Sequence, residues 1–289
     1  MTDSQARKGI VIFGASGQLG RALARALAGL GPVTALSHSE CDVGDSQALR
    51  AVVTRLAPGI LINASAYTAV DKAEDERVAA FHINGVAPGL MADVALLSGA
   101  WLIHYSTDYV FDGRASRPYV ETDPTSPLSV YGESKQMGEA AVLARPIVGF
   151  VLRTAWLYDR GGRNFLTTVA RLAAAGPLRI VADQFGTPTS VDALADATRA
   201  LIVHPEARHK GGLYHATCSG HTSWYGFAQA IVDALGLYVP VTAIGTEDYP
   251  TKAARPAYSV LANTKLQTAF DIALPPWGVA LAAAVRKAP

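Results

Sequence analysis

The sequence predicts an α/β fold in which a doubly wound parallel sheet is joined to a smaller, mixed C-terminal lobe. In the first half of the chain, short apolar runs rich in Ile and Val alternate with longer stretches of helical periodicity. A glycine-rich turn directly follows the first apolar run. After residue 155 the alternation stops, and proline and other loop-forming residues become frequent. Strand–helix alternation of this kind is typical of a parallel sheet covered by helices on both faces.

Each element of the sheet has its own signal. Apolar runs of strand length occupy residues 9–14, 32–37, 59–65, 101–107 and 147–155. Between them, apolar residues recur at helical spacing in residues 19–31, 45–57, 76–100 and 132–144. Residues 191–203 and 211–217 predict one more helix and strand of the same sheet. We therefore assign residues 1–155, together with about 190–217, to the sheet domain, and residues 156–189 and 218–289 to the smaller lobe.

The composition argues against several classes of function. Half of the 289 residues are apolar, and the formal net charge is +1 without any basic block, so we expect no nucleic-acid and no membrane partner. The first nine residues lack the apolar core of a signal peptide, and no unbroken apolar stretch is long enough to cross a bilayer. Cys41 and Cys218 have no ligand spacing around them. We therefore expect reduced thiols, no metal site and a cytoplasmic protein.

The turn after the first strand has the spacing of a phosphate-binding loop. Its glycines, Gly14, Gly17 and Gly20, lie where a strand leads into a helix. Such glycines allow a tight turn, a close approach of backbone to a pyrophosphate, and close packing of the helix on the strand. The N–H groups at the start of the helix favour an anion. We therefore expect a Rossmann-type dinucleotide site, with Ser16, Gln18 and Leu19 beside the glycines; the alternative is a purely structural turn.

The Gly-x-x-Gly-x-x-Gly spacing resembles that of the extended branch of the short-chain dehydrogenase/reductase superfamily. The resemblance implies that the Asp42 side chain accepts a hydrogen bond from the adenine amine and that the Val43 N–H serves a ring nitrogen. Asp42 is otherwise only a residue ahead of the next helix. The second strand ends in Ser37 and His38, without the carboxylate that would repel a 2′-phosphate. We therefore slightly favour NADPH over NADH as the cofactor, with Arg21 as a further residue that could reach the 2′-phosphate.

The same resemblance places the active site beyond two further strands, counted as the fourth and fifth of the superfamily. Backbone of Ala64, Ser65, Ala66 and Tyr67 would border the nicotinamide ribose, with Asn84 as a further cofactor contact. The other strand ends at Thr107. Because parallel strands end at one edge of the sheet, both segments point into one crevice.

Tyr131 and Lys135 have the spacing of a proton-donating pair. They lie one helical turn apart, so their side chains share a face. Reduction of a ketone needs a hydride on carbon and a proton on oxygen, and a phenol is protonated at neutral pH. We expect Lys135 to lower the pKa of Tyr131 and to hold the ribose hydroxyls, and Thr107 to orient the carbonyl oxygen. Without the glycine turn and Thr107, the spacing of Tyr131 and Lys135 would favour an ordinary pair on the helix surface.

Longer stretches narrow the family. The matching segments read STDYVFDG (106–113), NASAYTAVDKAE (63–74), RTAWLY (153–158), DQFGTPTS (183–190) and RPAYSVLANTKL (255–266). Together they resemble the dTDP-4-dehydrorhamnose reductase family over nearly the whole chain. The resemblance implies that NADPH or NADH reduces the 4-keto group of dTDP-4-dehydro-β-L-rhamnose. Tyr109 stands where related dehydratases have Glu, which argues against water elimination.

The resemblance also implies substrate contacts. Trp156 would pack its face against the sugar ring, although plain core packing is the alternative. Further contacts with the sugar are expected from Thr68, Val70, Thr107, Asp108 and Tyr109. Position and charge suggest Asn164, Arg163 and either Lys252 or Arg255 for the diphosphate and thymine, although surface charge is the alternative.

Two other functions remain open from the sequence. One is a non-catalytic, NADP-binding regulatory subunit resembling the β subunit of methionine adenosyltransferase, because a fold does not exclude it. The other is a nucleotide-sugar 4-ketoreductase or epimerase of different stereochemistry. Some relatives dimerise, in certain cases around Mg²⁺, but no acidic cluster in the sequence requires that ion.

Overall fold

The structure, a computed structural model, describes residues 8–286. The segment 1–7, on which the expectation of no signal peptide partly rests, lies outside the described residues. Within 8–286 the central sheet has six strands in the order β10-β5-β4-β3-β1-β2, and every neighbouring pair is parallel. These strands are β1 (Ile10–Phe13), β2 (Val33–Leu36), β3 (Ile60–Asn63), β4 (Trp101–Thr107), β5 (Gly149–Thr154) and β10 (Gly212–His215). The predicted doubly wound parallel sheet is confirmed.

Helices cover both faces of the sheet. Within the described chain they are α1 (Gln18–Leu27), α2 (Ser46–Leu56), α3 (Val70–Ala73), α4 (Arg77–Phe81), α5 (Ala87–Ser98), α6 (Val130–Leu143), α7 (Phe165–Ala173), α8 (Val191–Val203), α9 (Trp224–Ala234), α10 (Thr264–Phe270) and α11 (Trp277–Arg286). Alternate residues of β1 belong to two separate cores: Ile10 and Ile12 pack with α1 and α8, whereas Val11 and Phe13 pack with α2 and α5. This alternation is why the strands read as continuous apolar runs.

The helix predicted at 76–100 is not one regular helix. A π-helical turn, His82–Val86, separates α4 from α5, and Pro88 stands in the first turn of α5. The helical hydrogen bonds continue into α5 from this turn, since the Ala87 N–H donates to the His82 carbonyl oxygen, and the missing N–H of Pro88 coincides with the irregular turn. The strands that end at Asn63 and Thr107 are the third and fourth of this chain, and they correspond to those counted as the fourth and fifth of the superfamily.

The helical segment Arg77–Ser98, which includes the π-helical turn, is long and apolar enough to cross a membrane by length and composition alone. His82, Asn84 and Asp93 interrupt it, so it is not an unbroken apolar stretch. More than half of its most apolar window, 56%, is buried inside the fold. Its apolar residues, among them Met91 and Ala95, therefore serve the core beneath the sheet.

The remaining described strands form three small ladders beside the main sheet. They pair β6 (Leu157–Tyr158) with β9 (Thr189–Ser190), β7 (Leu178–Val181) with β12 (Val241–Ile244), and β8 (Phe185–Gly186) with β11 (Thr222–Ser223). A separate apolar cluster around Tyr158 and Phe227 packs α7, α9 and α11 together. The strand β10 pairs with β5 in the main sheet, where the sequence analysis places it. The full division into two domains stays a prediction.

A buried ion pair joins α6 to the sheet. The Arg153 guanidinium on β5 donates to both carboxylate oxygens of Glu139 on α6, at 2.8 and 2.7 Å. Their side chains are only 4% and 5% exposed. Each charge has therefore lost its water and depends on the other for compensation.

Replacing Glu139 by Gln should lower the free energy of unfolding by about 3–5 kcal/mol, because Arg153 would remain buried without its counter-charge. Urea denaturation measures the loss. Glu133→Gln is a matched control on the same helix, where Glu133 pairs with Arg77 at the surface. That change should cost less than about 1 kcal/mol. Equal losses for the two variants would contradict this role of the buried pair.

Candidate active site

The glycine turn between β1 and α1 brings several backbone segments into close contact. Gly14 has φ +86°, and a Cβ there would lie 2.7 Å from the backbone of Ala64. A Cβ on Gly20 would lie 2.2 Å from the Gly14 carbonyl oxygen. Two of the three glycines are thus required by the packing itself, which leaves the start of α1 open to an anion.

A cavity of about 770 Å³ lies above this turn, at the carboxyl ends of β1, β3, β4 and β5. Most of the predicted site residues line it: Gly14, Ser16, Gly17, Gln18, Leu19, Arg21, His38, Val43, Ala64, Ser65, Ala66, Tyr67, Thr68, Thr107, Asp108, Tyr131, Lys135, Trp156, Arg163 and Asn164. The fold thus brings the glycine turn, the Tyr–Lys pair and residues of the C-terminal half into one space.

Other predicted cofactor residues lie just behind the cavity wall. Gly20 packs against the glycine turn, and the Asp42 carboxylate accepts from the Gly44 N–H at 2.9 Å. Asn84 is buried, and its side-chain amide bonds with the Tyr67 backbone at 2.9 and 3.0 Å and with Ser134. The Asn84 side chain therefore has no free group for the predicted cofactor contact. It holds the Tyr67 segment in place instead.

Not all of the residues in the C-terminal half that were predicted to bind the diphosphate lie at the cavity. Arg255 donates to both oxygens of Asp71, at 3.1 and 2.8 Å, and does not line the cavity. Lys252 pairs with Asp75. These ion pairs hold the C-terminal segment against α3, so the expectation of a free phosphate-binding cation at 252 or 255 is wrong. Arg163 and Asn164 do reach the cavity.

Tyr131 keeps its proton tightly in this structure. Burial raises the pKa of its phenol to about 12; a hydrogen bond with the Thr107 side chain lowers this pKa, and the negative charge of Asp108 raises it. The Lys135 ammonium, expected to acidify the phenol, instead donates to the Tyr105 carbonyl oxygen at 2.5 Å. The expected lowering of the Tyr131 pKa is wrong because burial dominates.

Lys135 is buried beneath the cavity, with 3% of its surface exposed. Burial lowers the pKa of its ammonium to about 8, and the charge of Glu139 partly opposes that shift. Lys135 is therefore largely charged at neutral pH, at a cost to folding. Such a group is typical of a functional site rather than a surface pair.

Thr107 belongs to a chain of hydrogen bonds that the sequence does not show. Its hydroxyl donates to Asp108 at 3.0 Å and accepts from the Tyr109 N–H at 3.2 Å. The other Asp108 oxygen accepts from the Ser259 hydroxyl at 2.5 Å. Burial raises the pKa of Asp108 to about 6, while these hydrogen bonds lower it. Ser259 was not predicted, because its contact crosses 151 residues of sequence.

Trp156 lies in the cavity but not in the expected orientation. Its ring stacks on Trp224 with centroids 3.4 Å apart and planes 3° apart. A Cβ on Gly186 would lie 2.4 Å from Cε2 of Trp156, and farther from Nε1 and Cζ2, two ring atoms bonded to Cε2. A Cβ in the plane of the ring would lie nearer to those two atoms, so Gly186 lies over the face of the ring. Neither face is open to a sugar, and the predicted face-on packing is wrong. The edge of the indole remains at the cavity.

Two further predicted substrate residues lie outside the cavity lining. Val70 begins α3, and Tyr109 packs edge-on against Tyr131, with ring centroids 5.9 Å apart. Tyr109 therefore packs against Tyr131 rather than lining the cavity.

Several cavity residues were missed by the sequence analysis, among them a serine and a threonine. Ser106 and Thr154, at the ends of β4 and β5, are 4% and 5% exposed, and both line the cavity. Their hydroxyls have no hydrogen-bond partner among the described residues. Buried hydroxyls are normally paired, and these two oxygens are shielded from solvent, so they are unpaired polar groups inside the cavity wall. Position at a strand end is the sequence signal that could have found them. No cluster of metal-binding residues occurs within residues 8–286.

Comparison with known proteins identifies close relatives. The family model described as the RmlD substrate binding domain matches residues 7–288. The dTDP-4-dehydrorhamnose reductase of Burkholderia thailandensis is 45% identical, covering 96% of this chain and 98% of that protein. A Streptomyces antibioticus protein named probable dTDP-4,6-dihydroxy-2-methyloxan-3-one 4-ketoreductase is 42% identical, with 94% and 92% covered.

Solved structures agree with this relationship. The dTDP-4-dehydrorhamnose reductase of Bacillus anthracis, determined in complex with NADP, has a TM-score of 0.91 and 34% identity, with 96% of this chain and 98% of that chain covered. The individual roles of the site residues stay predictions. The match over nearly the whole length nevertheless shows that this chain belongs to the RmlD family, the family of the dTDP-4-dehydrorhamnose reductases.

Proposed function

We propose that this protein is an NAD(P)H-dependent oxidoreductase that reduces the 4-keto group of dTDP-4-dehydro-β-L-rhamnose to give dTDP-L-rhamnose. One observation carries the proposal: Tyr131, Lys135 and Thr107 meet the glycine turn in a single cavity at the carboxyl edge of a parallel sheet. The relatives named above support the choice of substrate.

The residues around the glycine turn would hold the cofactor. Backbone N–H groups at the start of α1 suit the pyrophosphate, and the close-packed Gly14 and Gly20 keep that surface free of side chains. Lys135 lies where an ammonium would hold ribose hydroxyls, as the sequence analysis suggests. When bound, the dihydronicotinamide supplies the hydride for the keto carbon.

Tyr131 would give the proton to the keto oxygen. Its raised pKa keeps the phenol protonated at neutral pH, which the reduction direction requires. An alkoxide that forms as hydride arrives is a stronger base than a phenolate, so transfer from Tyr131 remains favourable. Because Thr107 already donates its one proton to Asp108, it is placed as an acceptor that orients its neighbours.

A different sugar is the second candidate. The Streptomyces relative is named as a 4-ketoreductase of another dTDP-sugar, at an identity close to that of the rhamnose enzymes. The same Tyr131 chemistry would serve either substrate. The regulatory-subunit hypothesis has less support, because the cavity keeps the complete set of proton donor, ammonium and glycine turn.

The cellular setting is part of the proposal. We place the enzyme in the cytoplasm, with a dTDP-sugar as its small-molecule partner and without nucleic-acid or membrane partners. A homodimer stays a prediction. An interface Mg²⁺ has no support from the described residues, which include no cluster of metal ligands.

The purified protein, mixed with dTDP-4-dehydrorhamnose and NADPH or NADH, should oxidise the cofactor, as followed at its near-ultraviolet absorbance. Tyr131→Phe should lower the rate by at least about 100-fold, because the proton donor is lost, while cofactor affinity stays near that of the wild type. Tyr238→Phe, at a fully exposed tyrosine, is the matched control and should keep the wild-type rate.

Consumption of neither cofactor would end the proposal and favour a binding role. Nuclear magnetic resonance of the product then decides the sugar: the rhamno configuration is expected, and turnover restricted to another 4-keto sugar would favour the second candidate. A Tyr131→Phe variant with most of its activity would remove Tyr131 as the donor.

Lys135→Met should raise the free energy of unfolding at pH 7, measured without cofactor. The folded pKa of Lys135, about 8, lies below its ordinary 10.5, so the buried ammonium disfavours folding below pH 8 and the penalty vanishes above pH 10.5. The gain should approach about 3 kcal/mol at pH 7 and shrink as pH rises from 8 to 10.5. Affinity for NADPH should fall.

Lys265→Met is the control, because exposed Lys265 also donates to a backbone carbonyl, that of Leu213. It should show no gain and no such pH dependence. A Lys135→Met variant that is less stable than the wild type at pH 7 would show that its bond to Tyr105 outweighs the cost of burial.

A further inference from the structure

The end of β2 is tied directly to the glycine turn. The Leu36 carbonyl oxygen accepts from the N–H groups of Gly14 and Ala15, both at 3.0 Å. The next residue, Ser37, therefore begins the loop that stands beside the turn. In dinucleotide-binding folds this is the place where the ribose 2′-position is read, by an acid about 20 residues beyond the glycines.

A carboxylate, that of Glu40, lies beside this place without lining the cavity itself, although the sequence analysis found none at the strand tip. Glu40 folds back and accepts from the Ser37 N–H at 2.8 Å and from the Ser37 hydroxyl at 2.7 Å. The same hydroxyl lies 3.0 Å from that of Ser39. Both hydrogen bonds from Ser37 lower the pKa of Glu40, so it is ionised at neutral pH. Its other oxygen, Oε1, accepts no hydrogen bond within the described chain.

Two basic side chains of the cavity wall beside this loop, His38 and Arg21, already face carboxylate or carbonyl oxygens. His38 lines the cavity, but its Nδ1 lies 3.8 Å from the Asp42 carboxylate. Arg21 donates to the Ser16 carbonyl oxygen at 2.5 Å and lies 3.9 Å from Asp159. The loop thus offers two carboxylates, those of Glu40 and Asp42. Both basic side chains beside it, His38 and Arg21, already lie near an oxygen atom of the protein.

We propose that Glu40 makes this protein select NADH over NADPH, an inference that rests on the proposed function. A ribose 2′-hydroxyl can donate to the Glu40 carboxylate. A 2′-phosphate would meet that negative charge, and the Ser37 donors that could serve it are occupied by Glu40. This selection is opposite to the slight preference for NADPH that the end of β2 suggests from sequence.

Binding of each cofactor, measured by quenching of tryptophan fluorescence without substrate, tests this selection. The wild type should bind NADH more tightly than NADPH. In Glu40→Gln the ratio of the two Kd values should shift about tenfold towards NADPH, as expected for removing one exposed charge a few ångströms from a doubly charged phosphate. The wild-type preference should also weaken as salt is raised.

Two matched variants separate charge at this loop from other effects. Glu40→Asp keeps the charge and should keep the preference for NADH. Glu206→Gln removes the same charge at another exposed position, where Glu206 faces Lys210, and should leave the ratio unchanged.

An unchanged ratio in Glu40→Gln, or a wild type that binds NADPH as tightly as NADH, would overturn the selection and leave the proposed reduction intact. Failure of the wild type to bind either cofactor would overturn the proposed function itself.

Discussion

The close packing of α6 on the end of β4 determines the geometry of the whole site. Gly132 permits this contact, because an added Cβ there would lie 2.3 Å from the Tyr109 carbonyl oxygen. Two more glycines permit the contact of α6 with the π-helical turn: an added Cβ would lie 2.1 Å from the Asn84 carbonyl oxygen at Gly138 and 2.7 Å from Met137 at Gly85. With no side chain between them, the helix approaches near enough for the Lys135 ammonium to bond the strand backbone. Tyr131, one turn earlier, is carried to the cavity by the same contact.

This packing makes the site polar and dry at the same time. Burial is the largest cause of the shifts at Lys135, Asp108 and Tyr131, and in each case it disfavours the charged form. The fold compensates locally: Glu139 opposes the shift at Lys135, and Ser259 opposes that at Asp108. Holding these buried groups at the site therefore lowers the stability of the fold.

The C-terminal segment contributes to the site through contacts with the sheet domain. Arg255 pairs with Asp71, Lys252 with Asp75, and Ser259 bonds Asp108. Further along, the Val260 carbonyl oxygen accepts from the Tyr119 N–H at 2.9 Å. These contacts make the position of Thr107 dependent on residues that lie far away in sequence, so the two halves of the chain form a single site.

Local pattern was enough to predict the alternating elements, the glycine turn and the pairing of Tyr131 with Lys135, because helix periodicity, strand length and turn residues act over a few positions. The family resemblance added Thr107 to that pair. Local pattern did not predict how these groups interact with one another. The partners of Arg255 and Ser259 lie 184 and 151 residues away, and the faces of Trp156 are covered by Trp224 and Gly186. Even Glu40, only three residues from Ser37, was overlooked because the direction of a side chain depends on the path of the loop. Burial, pairing and charge are long-range properties, and only the folded chain decides them.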